Sequence, residues 1–184
     1  MSDDFKVNPD LAPASLEVED ESCLYCTIGT GILPATGGVH ALGPYWSLNA
    51  ELQRTGRPHF IVQTRRHVPD FEAMNTGEAA DFGRIVAALD GQMKSLFGAE
   101  RTSVSYLSEN RPPHVHLRFI PRFTSDASSA RGLGLFGAPA PVDYAGPRDV
   151  DLAAAVAAAI CEHLGYEPEA PLGQAAEAPT FDPE

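Results

Sequence analysis

The 184-residue sequence has few cysteines and no long apolar run. Three cysteines are too few for a disulfide framework, which excludes the small secreted proteins that depend on one. No apolar stretch approaches the roughly 20 residues that cross a bilayer, so we expect no membrane segment. The first residues lack a basic segment followed by an apolar one. We therefore expect no secretion signal and a cytoplasmic protein with reduced thiols.

Positive charge is also scarce, with 13 basic residues against 25 acidic ones and a formal net charge of -12. The excess lies in the tails, because residues 1–21 and 166–184 together hold 12 acids and one Lys, which leaves about -1 between them. Acidic tails oppose the phosphates of nucleic acids, so we expect no nucleic-acid partner. Two arginine-rich segments, 54–66 and 101–131, could hold phosphates, although solvated surface arginines are the alternative.

Composition divides the chain into three parts. Residues 1–20 are polar and acidic and predict a flexible N-terminal arm, and residues 166–184 predict a disordered acidic tail. Residues 21–165 are long enough for one domain with its own core. We therefore expect a single domain between two tails.

The hydrophobic pattern predicts strands at 58–64, 102–108 and 113–121, and a further strand within 39–52. A helix is predicted over 76–97, begun by a capping box of Asn75 and Glu78 and ended at Gly98. An Ala-rich helix is predicted over 149–164, after a loop or lid at 125–148. These elements favour an α+β fold with a mostly antiparallel sheet.

The strand at 113–121 carries the residues best suited to chemistry. Alternation points Val115, Leu117 and Phe119 to the core, and His114, His116 and Arg118 to the opposite face. A neutral imidazole can attack phosphorus, and a guanidinium can bind the phosphoryl oxygens. The pattern predicts a phosphate-handling or metal site, with incidental surface histidines as the alternative.

The segment His114-Val115-His116-Leu117-Arg118-Phe119-Ile120-Pro121-Arg122 resembles the signature of the histidine-triad (HIT) superfamily. Upstream, residues 56–68 resemble the family segment that ends in Arg-Arg-His, here Arg65-Arg66-His67. The resemblance covers roughly residues 22–123. It implies a HIT-like fold, an antiparallel sheet of about five strands with one long helix, to which this chain adds a C-terminal helix. It also implies a homodimer.

The same resemblance assigns roles to residues. His116 corresponds to the nucleophile and His114 to the histidine that supports it. Arg118 stands where the family has its third histidine, and since arginine stays charged it would clamp a phosphate and favour leaving groups that need no proton. The other expected substrate contacts are Arg122, Asn49 and Asn110.

Cys23-Leu24-Tyr25-Cys26 is a modest zinc signal, with two small residues packed in a turn as the alternative. The resemblance implies that His67 and His114 complete the set. Two cysteines and two histidines are typical of structural Zn²⁺, and we expect no catalytic cofactor.

The function implied is a nucleotide-conjugate hydrolase or nucleotidyltransferase that acts at the α-phosphate through a nucleotidyl-histidine. Substrates would be dinucleoside polyphosphates, nucleoside phosphoramidates or aminoacyl adenylates. One alternative is a non-catalytic nucleotide-binding or sensing protein. A second alternative is a zinc-stabilised interaction domain.

Overall fold

The computed structural model describes residues 20–50, 56–107, 109–142, 144–146, 149–167 and 169. The helices are α1 (Leu24–Gly29), α2 (Thr76–Phe97) and α3 (Asp149–Leu164). The strands are β1 (Val39–Leu42), β2 (Trp46–Ala50), β3 (Phe60–Thr64), β4 (Arg101–Ser105) and β5 (His116–Arg122). Within the described ranges, no helix has both the length and the apolar character that crossing a membrane requires.

The five strands form one sheet in the order β1-β2-β3-β5-β4, and each neighbouring pair is antiparallel. The predicted α+β fold with about five antiparallel strands is therefore confirmed. The segment 39–52, predicted to include a strand, forms two. The chain turns between them at Gly43, whose φ of 72° lies in the left-handed region that glycine adopts without strain.

Helix α2 has the predicted bounds and termini. Asn75 and Glu78 form the capping box, and Gly98 ends the helix with φ 67°. Its buried stripe includes Ile85, Leu89 and Met93, and these side chains join the main hydrophobic core with one face of the sheet. Helix α3 packs beside α2 on that face. The two predicted helices therefore form a layer over the sheet.

The segment after Cys23 is expected from sequence to be only a turn-rich connection. It forms the six-residue helix α1 instead. The backbone N–H groups of Thr27 and Thr30 donate helical hydrogen bonds to the carbonyls of Cys23 and Cys26. Tyr25 and Cys26 of α1 pack with Ile61 of β3, which lies on the sheet face opposite α2 and α3. Helix α1 therefore lies on the face that holds His116.

The first arginine cluster has a part in the tertiary structure. Its side chains bind carboxylates of the chain, in the ion pairs Arg57–Asp126, Arg65–Glu169 and Arg66–Glu78; Arg54 lies outside the described residues. The phosphate-binding role of this segment stays a prediction.

The predicted tails fall largely outside the described residues. Of the second tail, Tyr166 is partly buried against the main core, and its hydroxyl donates to Asp81. Glu169 accepts from Arg65. Packing contacts of the domain therefore continue past the predicted boundary at residue 165.

Arg57 is 2% exposed and holds the segment that follows β5. It donates to both carboxylate oxygens of Asp126, at 2.5 and 3.1 Å, and to the carbonyls of Pro121, Ala138 and Pro139. Burial acts to raise the pKa of Asp126, but hydrogen bonds from Arg57 and Phe123 and the charge of Arg57 hold that pKa below its usual value. The predicted loop is therefore tied to the start of β3.

Arg57→Met should lower the free energy of unfolding by about 3–5 kcal/mol, because it leaves the Asp126 carboxylate buried without its partner. Urea denaturation monitored by circular dichroism measures the change. The double variant Arg57→Met/Asp126→Leu should be less destabilised than the single one, since no uncompensated charge remains. A double variant that loses as much as the sum of both single variants would contradict this account.

Candidate functional site

The site lies on the sheet face opposite α2 and α3. Leu48, Val62 and Leu117 point to the main core, so their neighbours in each strand point to the other face. In the strand register, Ser47 lies opposite Gln63, and Gln63 lies opposite His116. Alternation along β2, β3 and β5 therefore places these three side chains in one row across the sheet.

His116 has a defined tautomer. Its Nδ1 lies 2.9 Å from the carbonyl oxygen of His114, and since a carbonyl only accepts, Nδ1 carries the proton. In the neutral ring, Nε2 then keeps its lone pair. This is the atom that a nucleophilic histidine uses.

Arg118 follows His116 on the same face and lies opposite Ile61 of β3 and Ser105 of β4. Its guanidinium carbon lies 6.0 Å from the centre of the Phe136 ring. The fold therefore brings Arg118 and His116 together, two residues or about 7 Å apart along β5.

Arg122 is placed elsewhere. Its guanidinium lies 3.6 Å from Glu100 at the far end of β5, and six residues of extended strand separate it from His116 by about 20 Å. The structure does not bring Arg122 next to His116.

Asn49 and Asn110 lie in different parts of the structure. Asn49 lies on the site face in the row that contains Arg118 and is 4% exposed. Asn110 lies in the connection between β4 and β5. Asn49 is thus on the face that holds His116, whereas Asn110 lies outside the strands.

Four predicted metal ligands do come together. The ligand atoms of Cys23, Cys26, His67 and His114 all lie within 4.8 Å of one another. Sulfur–nitrogen distances are 3.4 Å for Cys23–His114, 3.6 Å for Cys26–His114 and 3.3 Å for Cys26–His67. Tetrahedral zinc, with bonds of about 2.3 Å to sulfur and 2.0 Å to nitrogen, separates such ligands by roughly 3.5 Å. The geometry and the donor set both fit a four-coordinate ion.

The second ring nitrogen of His114 supports this arrangement. Nε2 lies 2.9 Å from the carbonyl oxygen of Thr64, to which it donates, so Nδ1 is left unprotonated toward the cysteines. Burial, the largest effect, lowers the pKa of His114 to about 4. The ring is therefore neutral near pH 7, as a metal ligand must be.

Two residues of the site are absent from the sequence prediction. The ring of Tyr25 stacks on the His116 ring, with centroids 4.0 Å apart, and Gln63 donates to the Tyr25 carbonyl at 2.8 Å. Gln63 could have been found by alternation, since Phe60 and Val62 face the core. Nothing in the sequence indicates that Tyr25 reaches the histidine.

Three buried side-chain oxygens on this face have no partner among the described residues: Ser47 Oγ, Asn49 Oδ1 and Gln63 Oε1. Buried polar groups are nearly always hydrogen-bonded, so exceptions need an explanation. These oxygens lie near His116 and Arg118, on the part of the sheet where a ligand would bind.

No family model matches the chain, and no curated protein matches it. The structure is nevertheless similar to solved structures. A zinc-bound histidine triad family protein from Mycobacterium smegmatis is 17% identical, with 78% of this chain and 96% of that chain covered and a TM-score of 0.54. A hypothetical histidine triad nucleotide-binding protein from Sulfolobus tokodaii is 15% identical, with 77% and 93% covered and a TM-score of 0.52.

A Hit-like protein from Bartonella henselae, described as involved in cell-cycle regulation and bound to an unknown ligand, is 14% identical. The alignment covers 78% of this chain and 99% of that chain, with a TM-score of 0.53. These proteins share with this chain its sheet and helices across nearly their whole length, and the resemblance seen in the sequence has its counterpart in three dimensions. The protein has the histidine-triad fold.

Proposed function

We propose that the protein is a member of the HIT superfamily that binds nucleotide conjugates and cleaves them at the α-phosphate. The observation that carries the proposal is the hydrogen bond from His116 Nδ1 to the His114 carbonyl, which leaves Nε2 as a neutral nucleophile beside Arg118. The Sulfolobus tokodaii neighbour, described as nucleotide-binding, adds support from the fold.

The reaction needs two displacements at one phosphorus. The Nε2 lone pair of His116 forms a bond to the α-phosphorus, and the bond to the leaving-group oxygen breaks with its electron pair on that oxygen. Water then attacks the phosphorus and loses a proton to the solvent, the nitrogen–phosphorus bond breaks, and its pair returns to Nε2. Arg118 stabilises the charge on the phosphoryl oxygens in both steps.

Arg118 restricts the leaving group. A guanidinium holds its proton under all ordinary conditions and cannot act as a general acid. A polyphosphate or nucleoside phosphate departs as a stable anion, whereas an amine needs a proton. We therefore propose dinucleoside polyphosphates as the preferred substrates over nucleoside phosphoramidates.

We propose that Cys23, Cys26, His67 and His114 hold structural Zn²⁺. The sulfur–nitrogen distances near 3.5 Å and the zinc-bound neighbour from Mycobacterium smegmatis support it. The ion would join α1 to His114, which precedes β5 and whose carbonyl accepts from His116. It would take no part in the chemical steps.

We also propose a homodimer. Strand β4 lies at the end of the sheet, and Val104 within it is exposed. An open strand edge offers unpaired backbone groups to a second strand. Pairing of β4 with β4 of a second copy would cover that edge and join the two sheets.

Nucleotide binding without turnover is the second candidate. Arg118 favours it, because an arginine binds phosphate at any pH but transfers no proton. The burial of His116, which is 1% exposed, also favours it, since a substrate must displace what covers the ring. Both candidate functions predict binding of AMP, and only the first predicts turnover.

His116→Ala should lower kcat/KM for diadenosine tetraphosphate by at least about 100-fold, since it removes the nucleophile. Chromatographic separation of the products gives the rates. The control is His163→Ala, which changes an exposed histidine in α3 and should leave the rate unchanged. Binding of AMP by a wild-type protein that hydrolyses no conjugate would favour the second candidate.

Protein purified without chelators should contain about one zinc per chain, because the site offers four ligands to one ion. Inductively coupled plasma mass spectrometry measures the content. Cys26→Ser should lose most of the metal, and Cys161→Ser, at a buried cysteine of α3, should retain it. Near-zero zinc in the wild-type protein would rule out the metal site.

Arg118→His should raise hydrolysis of adenosine phosphoramidate relative to diadenosine tetraphosphate, because a histidine can protonate the amine that leaves. The ratio of the two kcat/KM values is the measurement, and we expect it to rise about tenfold or more on the scale of general acid catalysis. Arg118→Lys is the matched control, since it keeps a positive charge at this position without adding an imidazole. An equal ratio in all three proteins would contradict the proposed role.

A further inference from the structure

The Tyr25 ring covers one face of the His116 imidazole. The ring centroids are 4.0 Å apart and the planes differ by 25°, so the rings are stacked rather than edge-on. Both side chains are buried, with Tyr25 3% and His116 1% exposed. The two displacement steps described above make no use of this contact.

The stack and the His116 hydrogen bond restrain the imidazole in different directions. The Nδ1 bond to the His114 carbonyl holds one edge of the ring and sets the tautomer. The Tyr25 ring lies against its face and opposes rotation about the bond from Cβ to the ring. The lone pair of Nε2 lies in the ring plane, so a contact on the face does not itself block that atom.

We propose that Tyr25 is a positioning residue, which holds His116 for in-line attack and stabilises the charge that the imidazole acquires. This inference rests on the proposed function. When Nε2 bonds to phosphorus, Nδ1 keeps its proton and the ring becomes cationic until water breaks the nitrogen–phosphorus bond. The electron-rich face of a tyrosine ring attracts a cation placed over it.

The backbone of Tyr25 is fixed from two sides. Its carbonyl accepts a hydrogen bond from Gln63 Nε2 at 2.8 Å, and Gln63 lies opposite His116 in the register of β3 and β5. On either side along the chain stand Cys23 and Cys26 of the candidate metal site. The sheet and the metal ligands thus both determine where the Tyr25 ring lies.

Helix α1 approaches Gln63 closely. A Cβ atom added at Gly29 would lie 3.0 Å from Gln63 Nε2, which is tighter than ordinary packing. A glycine at this position therefore lets the helix sit low enough on the sheet for the hydrogen bond to the Tyr25 carbonyl. The stack on His116 depends on this short separation between α1 and β3.

The test compares Tyr25→Leu, Tyr25→Phe and Gln63→Met in the full-length protein. Tyr25→Leu should lower kcat for diadenosine tetraphosphate about 10- to 30-fold with KM nearly unchanged, on the scale of a desolvated cation–ring contact. Tyr25→Phe should stay within about threefold of the wild type, because it keeps the ring face. Gln63→Met should lower kcat in the same direction, since it frees the Tyr25 carbonyl.

A second measurement uses no substrate. In proton–nitrogen NMR spectra, the carbon-bound ring protons of His116 should show the shielding of a stacked aromatic ring in the wild type and in Tyr25→Phe. Tyr25→Leu should abolish that shielding. Thermal melting and zinc content identify folded protein, and Tyr25→Met replaces Tyr25→Leu if the latter does not fold.

Three results would overturn the inference. The first is a Tyr25→Leu enzyme with wild-type kcat, and the second is a loss that appears in KM alone. The third is Tyr25→Phe losing as much as Tyr25→Leu, which would assign the effect to the hydroxyl. If the wild type has no activity that depends on His116, the proposed function fails, and the NMR comparison alone decides whether Tyr25 positions the ring.

Discussion

His114 is the residue on which the arrangement of the site depends, because three of its polar atoms face three different elements. Nδ1 lies against the two cysteines at α1, Nε2 donates to the Thr64 carbonyl at the end of β3, and the main-chain oxygen accepts from His116. One buried residue therefore joins the candidate metal ligands, the sheet and the candidate nucleophile.

The features that the sequence predicted correctly depend on residues that are close together along the chain. The capping box of Asn75 and Glu78 and the left-handed Gly98 set the ends of α2, and both signals lie within a few residues of the helix. The ion pairs of the first arginine cluster were not predicted because their partners are distant in sequence, as Asp126 is from Arg57. Counting charges in the sequence shows neither burial nor pairing. It therefore could not distinguish an arginine paired with a carboxylate of the protein from one that binds a phosphate.

The same limit applies within the site. Alternation correctly placed Leu117 in the core and Arg118 on the site face, because a strand fixes the direction of each side chain. The resemblance added Arg122 as a substrate contact, but the length of β5 separates Arg122 from Arg118. Tyr25 belongs to helix α1, which the hydrophobic pattern did not predict. Only the tertiary structure therefore reveals its contact with His116.

The unpartnered oxygens of Ser47, Asn49 and Gln63 have a thermodynamic consequence. Each buried group without a hydrogen bond costs about 1–3 kcal/mol, so this part of the sheet lowers the stability of the protein alone. A ligand that donates hydrogen bonds to these oxygens recovers that free energy when it binds, and the folded state gains stability by mass action. Recognition and fold stability are therefore linked on this face, because the same buried groups affect both.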